Sequence, residues 1–265
     1  MKKILITGAG TGLGRGAAVG LAKSGHRVIA SVEQWQQVAG LRQHVTDLGL
    51  EKNVIVERLD ILEARDIDVA VMWDFDTLVC NAGVGGAGPM SEMPVHLVRQ
   101  TFEINVFGNL QISQKIIRKF IDGGTKGRLV FISSMAGLMD MPDVGAYCAS
   151  KHAVEAMAAA FREELAGHGI TVQTINPGPF LTGFNDRMGD ATFEWLDDSR
   201  NFTKVADVRA NFAGIMQVQL DPQVMIDKMV EIIGAEDGLY RNVWPPETEA
   251  LIKQVQAADW ARKLS

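Results

Sequence analysis

Tyr147 and Lys151 stand four residues apart in the run Tyr147-Cys148-Ala149-Ser150-Lys151. On a helix that spacing puts both side chains on one face. A free phenol has a pKa of about 10 and is a poor base at neutral pH. An ammonium beside it favours phenolate and tunes it toward proton transfer. A tyrosine and a lysine at this spacing often occur by chance, so the company they keep decides. Ser134 ends an apolar run, Val130-Phe131-Ile132-Ser133-Ser134, thirteen residues before Tyr147. Ser133, one residue earlier on an alternating strand, should point elsewhere and is read as a hydroxyl capping nearby backbone. Asn105 lies inside a long helical pattern, where asparagine is a mediocre helix former.

A second cluster opens the chain. An apolar run leads into Thr7-Gly8-Ala9-Gly10-Thr11-Gly12-Leu13-Gly14, and a helical pattern follows. Glycines let backbone amides approach a pyrophosphate, and a helix N-terminus adds partial positive charge. Gly8, Thr11, Gly12, Leu13 and Gly14 are therefore candidate phosphate contacts.

Something must hold these two clusters together. Short apolar runs at Lys3–Thr7, Arg27–Val32, Val54–Leu59, Thr77–Asn81, Gly127–Ser133 and Thr171–Asn176 read as strands buried on both faces. Helical patterns at Gly14–Ser24, Trp35–Leu48, Val95–Ile121 and Ala146–His168 lie between them. Alternating strands and helices predict an α/β fold, a doubly wound parallel sheet with helices on both faces. The stretch Leu181–Leu220 has weak periodicity and scattered large residues. A helix is expected at Asp221–Gly234, a short strand at Leu239–Val243, and a last helix after Pro245 and Pro246. The expectation is one dinucleotide-binding, catalytic domain over 1–265, with 181–220 as a substrate lid.

The TGxxxGxG turn, the segment Asn81-Ala82-Gly83, Ser134 and the YxxxK pair together resemble the short-chain dehydrogenase/reductase family, over about residues 3 to 182. The resemblance implies a Rossmann-type sheet of about seven strands and reversible hydride transfer between a nicotinamide and a secondary alcohol or a ketone or aldehyde. It assigns Ser134 to the substrate oxygen and Tyr147 to the proton. Lys151 would lower the Tyr147 pKa and hold the nicotinamide ribose. Asn105 would interrupt its helix and bind a water that continues the proton relay. Asp60, with Ile61 beside it, would contact the adenine. Asn81, Ala82 and Gly83 would let the cofactor ribose pack closely. Pro177, Gly178, Phe180 and Thr182 would meet the nicotinamide end. A non-catalytic nucleotide-sensing regulator is the alternative on the same fold, but such proteins usually lose the tyrosine or the lysine.

At the end of the second strand the resemblance aligns Val32 and Glu33 with the positions that read the adenosine ribose. A carboxylate at Glu33 repels a 2′-phosphate and accepts from a 2′-hydroxyl, so NAD(H) is favoured. Arg15, just after the turn, keeps NADP(H) open.

The chain has 265 residues, 26 basic and 32 acidic, for a formal charge of −6. That sign disfavours nucleic acid and anionic membrane as partners. Cys80 and Cys148 make no disulfide framework and lie in no metal-ligand spacing. Two lysines precede an apolar run of only Ile4 to Ile6, too short for a signal peptide. A soluble, cytoplasmic protein is expected. Met139, Met141, Val144, Phe180, Phe184, Met188 and Trp195 suggest apolar walls for a hydrophobic or aromatic small molecule, with Arg187, Arg200 and Lys204 able to meet an acidic group. The C-terminal segment Leu239–Pro246 departs from the tetramer-building segment of many relatives, so the resemblance leaves homodimer, homotetramer and monomer open.

Overall fold

The structure, a computed structural model, describes residues 1–263. Seven strands form one sheet: β1 (Lys3–Ile6), β2 (Arg27–Val32), β3 (Val54–Arg58), β4 (Thr77–Cys80), β5 (Arg128–Ile132), β6 (Thr171–Pro177) and β7 (Arg241–Trp244). All pairs are parallel, in the order β3-β2-β1-β4-β5-β6-β7. The apolar runs read as buried strands because helices cover both faces. In β1, Ile4 and Ile6 pack toward α1 (Gly12–Lys23), α2 (Trp35–Asp47) and α9 (Pro222–Gly234). Leu5 faces the other way, toward α3 (Ala64–Val71), α5 (Asn109–Asp122) and α6 (Gly145–Leu165). That alternation is the pleat of a single strand serving two cores.

Strand order reverses at β1, with β2 on one side and β4 on the other. Loops leaving the carboxyl ends of these two strands diverge to opposite faces, and the gap between them is where such sheets bind ligands.

Two expectations change in detail, and one helix has no counterpart among them. The long helical pattern at 95–121 is broken into α4 (Val95–Phe102), a π-helical turn (Glu103–Gly108) and α5. Asn105 sits inside that turn. The weakly periodic stretch 181–220 holds two helices, α7 (Phe184–Phe193) and α8 (Val205–Gln217), which pack on each other and on Val144 and Cys148. The helix α3 had no sequence expectation; it is only two turns long. The chain closes with α10 (Pro246–Asp259).

The stretch 181–220 is fastened at both ends. At its root, Leu181 donates to the Leu220 carbonyl at 2.9 Å and Leu220 donates to the Pro179 carbonyl at 3.0 Å. At its far end, the Glu92 carboxylate accepts from the Phe202 and Thr203 amides, at 2.7 and 2.9 Å, and from Asn201 Nδ2 at 3.1 Å. Burial favours the neutral acid there, but these donors win and hold Glu92 down to about 2. No helix among the described residues is long and apolar enough to cross a membrane.

Candidate active site

The turn after β1 is bolted to the end of β4. Thr7 Oγ1 accepts from the amides of Asn81 and Ala82, each at 3.0 Å. Asn81 Nδ2 donates back to the carbonyls of Thr7 and Gly8, at 2.8 and 3.0 Å. The fit leaves no room for side chains. A Cβ on Gly14 would lie 2.4 Å from Asn81 Nδ2, and one on Gly8 (φ +65°) would lie 2.8 Å from Ala82 Cα. Thr11 at the N-cap of α1 makes no side-chain cap bond. The first amides of α1 are thus free to donate to an anion, and Gly12, Leu13 and Gly14 line the adjoining cleft. This cradle fits a dinucleotide pyrophosphate.

The cleft has a volume of about 380 Å³ and runs along the carboxyl ends of the strands. Every residue proposed from sequence for the cofactor lines it, from Gly8 and Glu33 through Asp60, Ile61, Asn81, Ala82 and Gly83 to Pro177, Gly178, Phe180 and Thr182. Glu33 is exposed at the rim. Gln37, which sequence reading missed, lines the same cleft and stands beside Gly10. Asp60 Oδ1 accepts from the Leu62 amide at 2.9 Å, which fixes the loop after β3. Arg15 lines a different groove, between α1 and α9.

Ser134, Tyr147 and Lys151 line the same cleft. Ser134 follows β5 in extended conformation, and its Oγ accepts from the Ala136 amide at 3.1 Å. The expectation for its neighbour is reversed: Ser134 makes the cap, and the buried Ser133 Oγ has no protein partner. Tyr147 and Lys151 share a face of α6, with Lys151 Nζ 5.7 Å from the centre of the Tyr147 ring. Lys151 is only 6% exposed and donates to the Ile132 carbonyl at 2.8 Å.

The sequence expectation of a lowered phenol is not met in the protein alone. Burial pushes Tyr147 up to about 12, against a hydrogen bond with Ser134. Burial also pulls Lys151 down to about 8, opposed by Glu155 and Cys80. Residue spacing reports a neighbouring charge but not how far both groups are withdrawn from water.

Asn105 stands behind the cleft wall rather than on it. Its Oδ1 accepts from the Val84 amide at 2.8 Å, and its Nδ2 donates to the Val84 carbonyl and to Ser150 Oγ, at 2.9 and 3.0 Å. A Cβ on Gly83 would meet both Asn105 Oδ1, at 3.0 Å, and Lys151 Nζ, at 3.8 Å. Asn105, Gly83 and Lys151 therefore crowd one small space. The cleft beyond Tyr147 is walled by Met141, Val144, Phe184, Met188, Ile215 and Val218, with Arg187 also present. Phe184 packs on Tyr147 with ring centres 5.6 Å apart. Met139, Trp195, Arg200 and Lys204 do not line it; Trp195 instead covers Gly88.

A buried carboxylate behind the site was missed from sequence. Glu155 Oε1 accepts from Asn176 Nδ2 at 2.6 Å, and Arg241 pairs with Oε2 at 3.0 Å. Tyr147, Lys151 and Glu155 recur at four-residue intervals, which is the signal that was available.

A family model described as short chain dehydrogenase matches residues 2–192. The L-2,3-butanediol dehydrogenase of Corynebacterium glutamicum is 31% identical over 189 residues, 69% of this chain and 73% of that protein. A solved short-chain dehydrogenase/reductase of Burkholderia phymatum, in complex with NAD, is similar at a TM-score of 0.78 and 22% identity, covering 100% of this chain and 96% of its own. A short chain dehydrogenase of Burkholderia cenocepacia, in complex with NADP, reaches 0.74 at 22% identity, covering 98% and 94%. The parallel seven-strand sheet, the glycine turn and this family match lead to one identification: the chain is an oxidoreductase and belongs to the short-chain dehydrogenase family.

Proposed function

We propose that the protein interconverts a secondary alcohol and a ketone (or aldehyde) using a nicotinamide dinucleotide, with Tyr147 handling the proton. The observation that carries this reading is the convergence of Ser134, Tyr147 and Lys151 on the cleft that also contains the glycine turn. The nicotinamide, when bound, supplies or accepts the hydride. The amides of the turn and of α1 hold the pyrophosphate, Asp60 and Ile61 meet the adenine, and Pro177, Gly178, Phe180 and Thr182 meet the nicotinamide end.

Ser134 orients the substrate oxygen by a hydrogen bond. Tyr147 gives or takes the proton at that oxygen. Lys151 holds the nicotinamide ribose and, as an ammonium, favours the phenolate. Asn105 supports the proton path from behind Lys151. NAD(H) is preferred over NADP(H): Glu33 lies at the rim where a 2′-phosphate would meet it, and Arg15 faces another groove. The apolar walls beyond Tyr147 favour a hydrophobic or aromatic substrate. The whole chain acts as one dinucleotide-binding domain, with 181–220 as its lid.

A panel of alcohols and ketones, assayed with NAD(H) and NADP(H) by the absorbance of the reduced cofactor, tests the reading. Turnover of apolar secondary alcohols or ketones is expected, fastest with NAD(H). No turnover across the panel, together with no NADH binding, would overturn it.

A further inference from the structure

The stripe Tyr147, Lys151, Glu155 on α6 reaches three different places. Tyr147 lines the cleft, Lys151 meets the end of β5 at the Ile132 carbonyl, and Glu155 meets β6 at Asn176. Glu155 is 6% exposed, and a carboxylate is rarely buried this far unless paired. Its partners are specific. Asn176 donates both to Glu155 and to the Ser134 carbonyl, the latter at 3.1 Å, while its Oδ1 accepts from Thr174 Oγ1 at 3.0 Å. Arg241 reaches the other carboxylate oxygen from β7, but its side chain is 45% exposed, so water screens that pairing.

We propose that Glu155 is a positioning residue: a fixed negative charge one helical turn beyond Lys151 that keeps the buried lysine an ammonium and, through Asn176, holds the strand end carrying Ser134 against α6. The groups around Lys151 leave this task to Glu155. Tyr147 on the same helix and Cys80 on β4 are each pushed by burial to about 12 and stay protonated at neutral pH. Ile132 and Asn105 present a carbonyl and an amide, both neutral. On the far side, Arg241 pairs with the carboxylate and Tyr240 lies near it, with Arg162 stacked on the Tyr240 ring, and none of them carries a negative charge at neutral pH. Glu155 is the anion that opposes the cost of keeping Lys151 charged in a dry place.

The bearing of this on turnover rests on the proposed function, but the effect on Lys151 does not. The titration of Lys151 is therefore read on the free protein, by NMR of ¹³C-labelled lysine with the signal assigned through Lys151→Arg. Glu155→Gln keeps the volume and the acceptor for Asn176 and removes only the charge. Its Lys151 midpoint is expected to fall by about one pH unit or more, with Glu155→Asp in between. In turnover, the pH profile of kcat shifts in the same direction. A midpoint unchanged or raised in a folded Glu155→Gln protein overturns the proposal. Should that variant not fold, Glu155→Asp decides alone: a lower midpoint supports the proposal and an unchanged one sinks it. A protein that shows this order but turns over no alcohol or ketone keeps this inference and ends the functional one.

Discussion

The Lys151 ammonium donates to the Ile132 carbonyl at 2.8 Å, which ties the YxxxK helix to the end of the strand that carries Ser134. A strand and the helix that follows it in the chain are thus registered against each other at the atoms proposed to react. The tie also explains how a lysine can stay in place with its charge withdrawn from water: at least one of its three donors is satisfied.

Tyr147→Phe keeps the ring, its packing on Phe184 and the shape of the cleft, and removes only the hydroxyl. Turnover should fall by about 10²–10⁴-fold, the usual contribution of a positioned acid or base. The dissociation constant for NADH, followed by quenching of tryptophan fluorescence, should change little. Retention of most wild-type activity would remove Tyr147 from the role given to it.

Glu33→Arg converts a repulsive rim into an attractive one for a 2′-phosphate. The ratio of kcat/KM for NADPH over NADH should rise at least about tenfold, equivalent to about 1.4 kcal/mol. A wild-type enzyme that already prefers NADPH contradicts the reading of this rim.

Gly14→Ala places a methyl 2.4 Å from Asn81 Nδ2 and 2.8 Å from the Gly8 carbonyl, both held in the Thr7–Asn81 lock. The turn must shift or the lock must open, at a cost of about 1–3 kcal/mol. Denaturant unfolding should show that loss, and NADH titration should show binding weakened with it. Unaltered stability and binding would mean that the turn adapts more freely than its contacts imply.

Lys151 also sets a pH dependence of stability. Its folded pKa, about 8, lies below the ordinary 10.5, so between those values the unfolded chain holds a proton that the folded chain has shed. Stability from this group therefore rises with pH across that window, by up to about 3 kcal/mol, and is least below it. Cys80, raised from 9.0 to about 12, works in the opposite sense above pH 9, so the comparison is made between wild type and Lys151→Met. Relative to wild type, the variant should lose ground steadily as pH rises from 8 to 10.5. Parallel stability curves for the two proteins would contradict the burial assigned to Lys151.

Much of this site is legible without coordinates because its parts are local. Strands buried on both faces read as plain apolar runs, and the glycine turn declares itself by position between a strand and a helix. Asn105 is a poor helix former, and the helix is indeed widened to a π turn around it. The illegible parts depend on contacts across the sheet. Glu155 becomes meaningful only when β6 brings Asn176 and β7 brings Arg241 to it. The raised Tyr147 phenol needs the depth of the cleft, which spacing along α6 does not contain. The helices α7 and α8 pack largely on each other and on the rim, so their periodicity is diluted by residues facing outward.

The pairing of Pro179 and Leu181 with Leu220 gives the intervening forty residues a common point of departure and return. A segment rooted in this way behaves as a replaceable cassette: its length and composition can change while the sheet beneath it sees the same two chain ends in the same place. On the proposed function, exchange of this one piece would replace the cleft walls supplied by Phe184, Met188, Ile215 and Val218 and leave the glycine turn as it was.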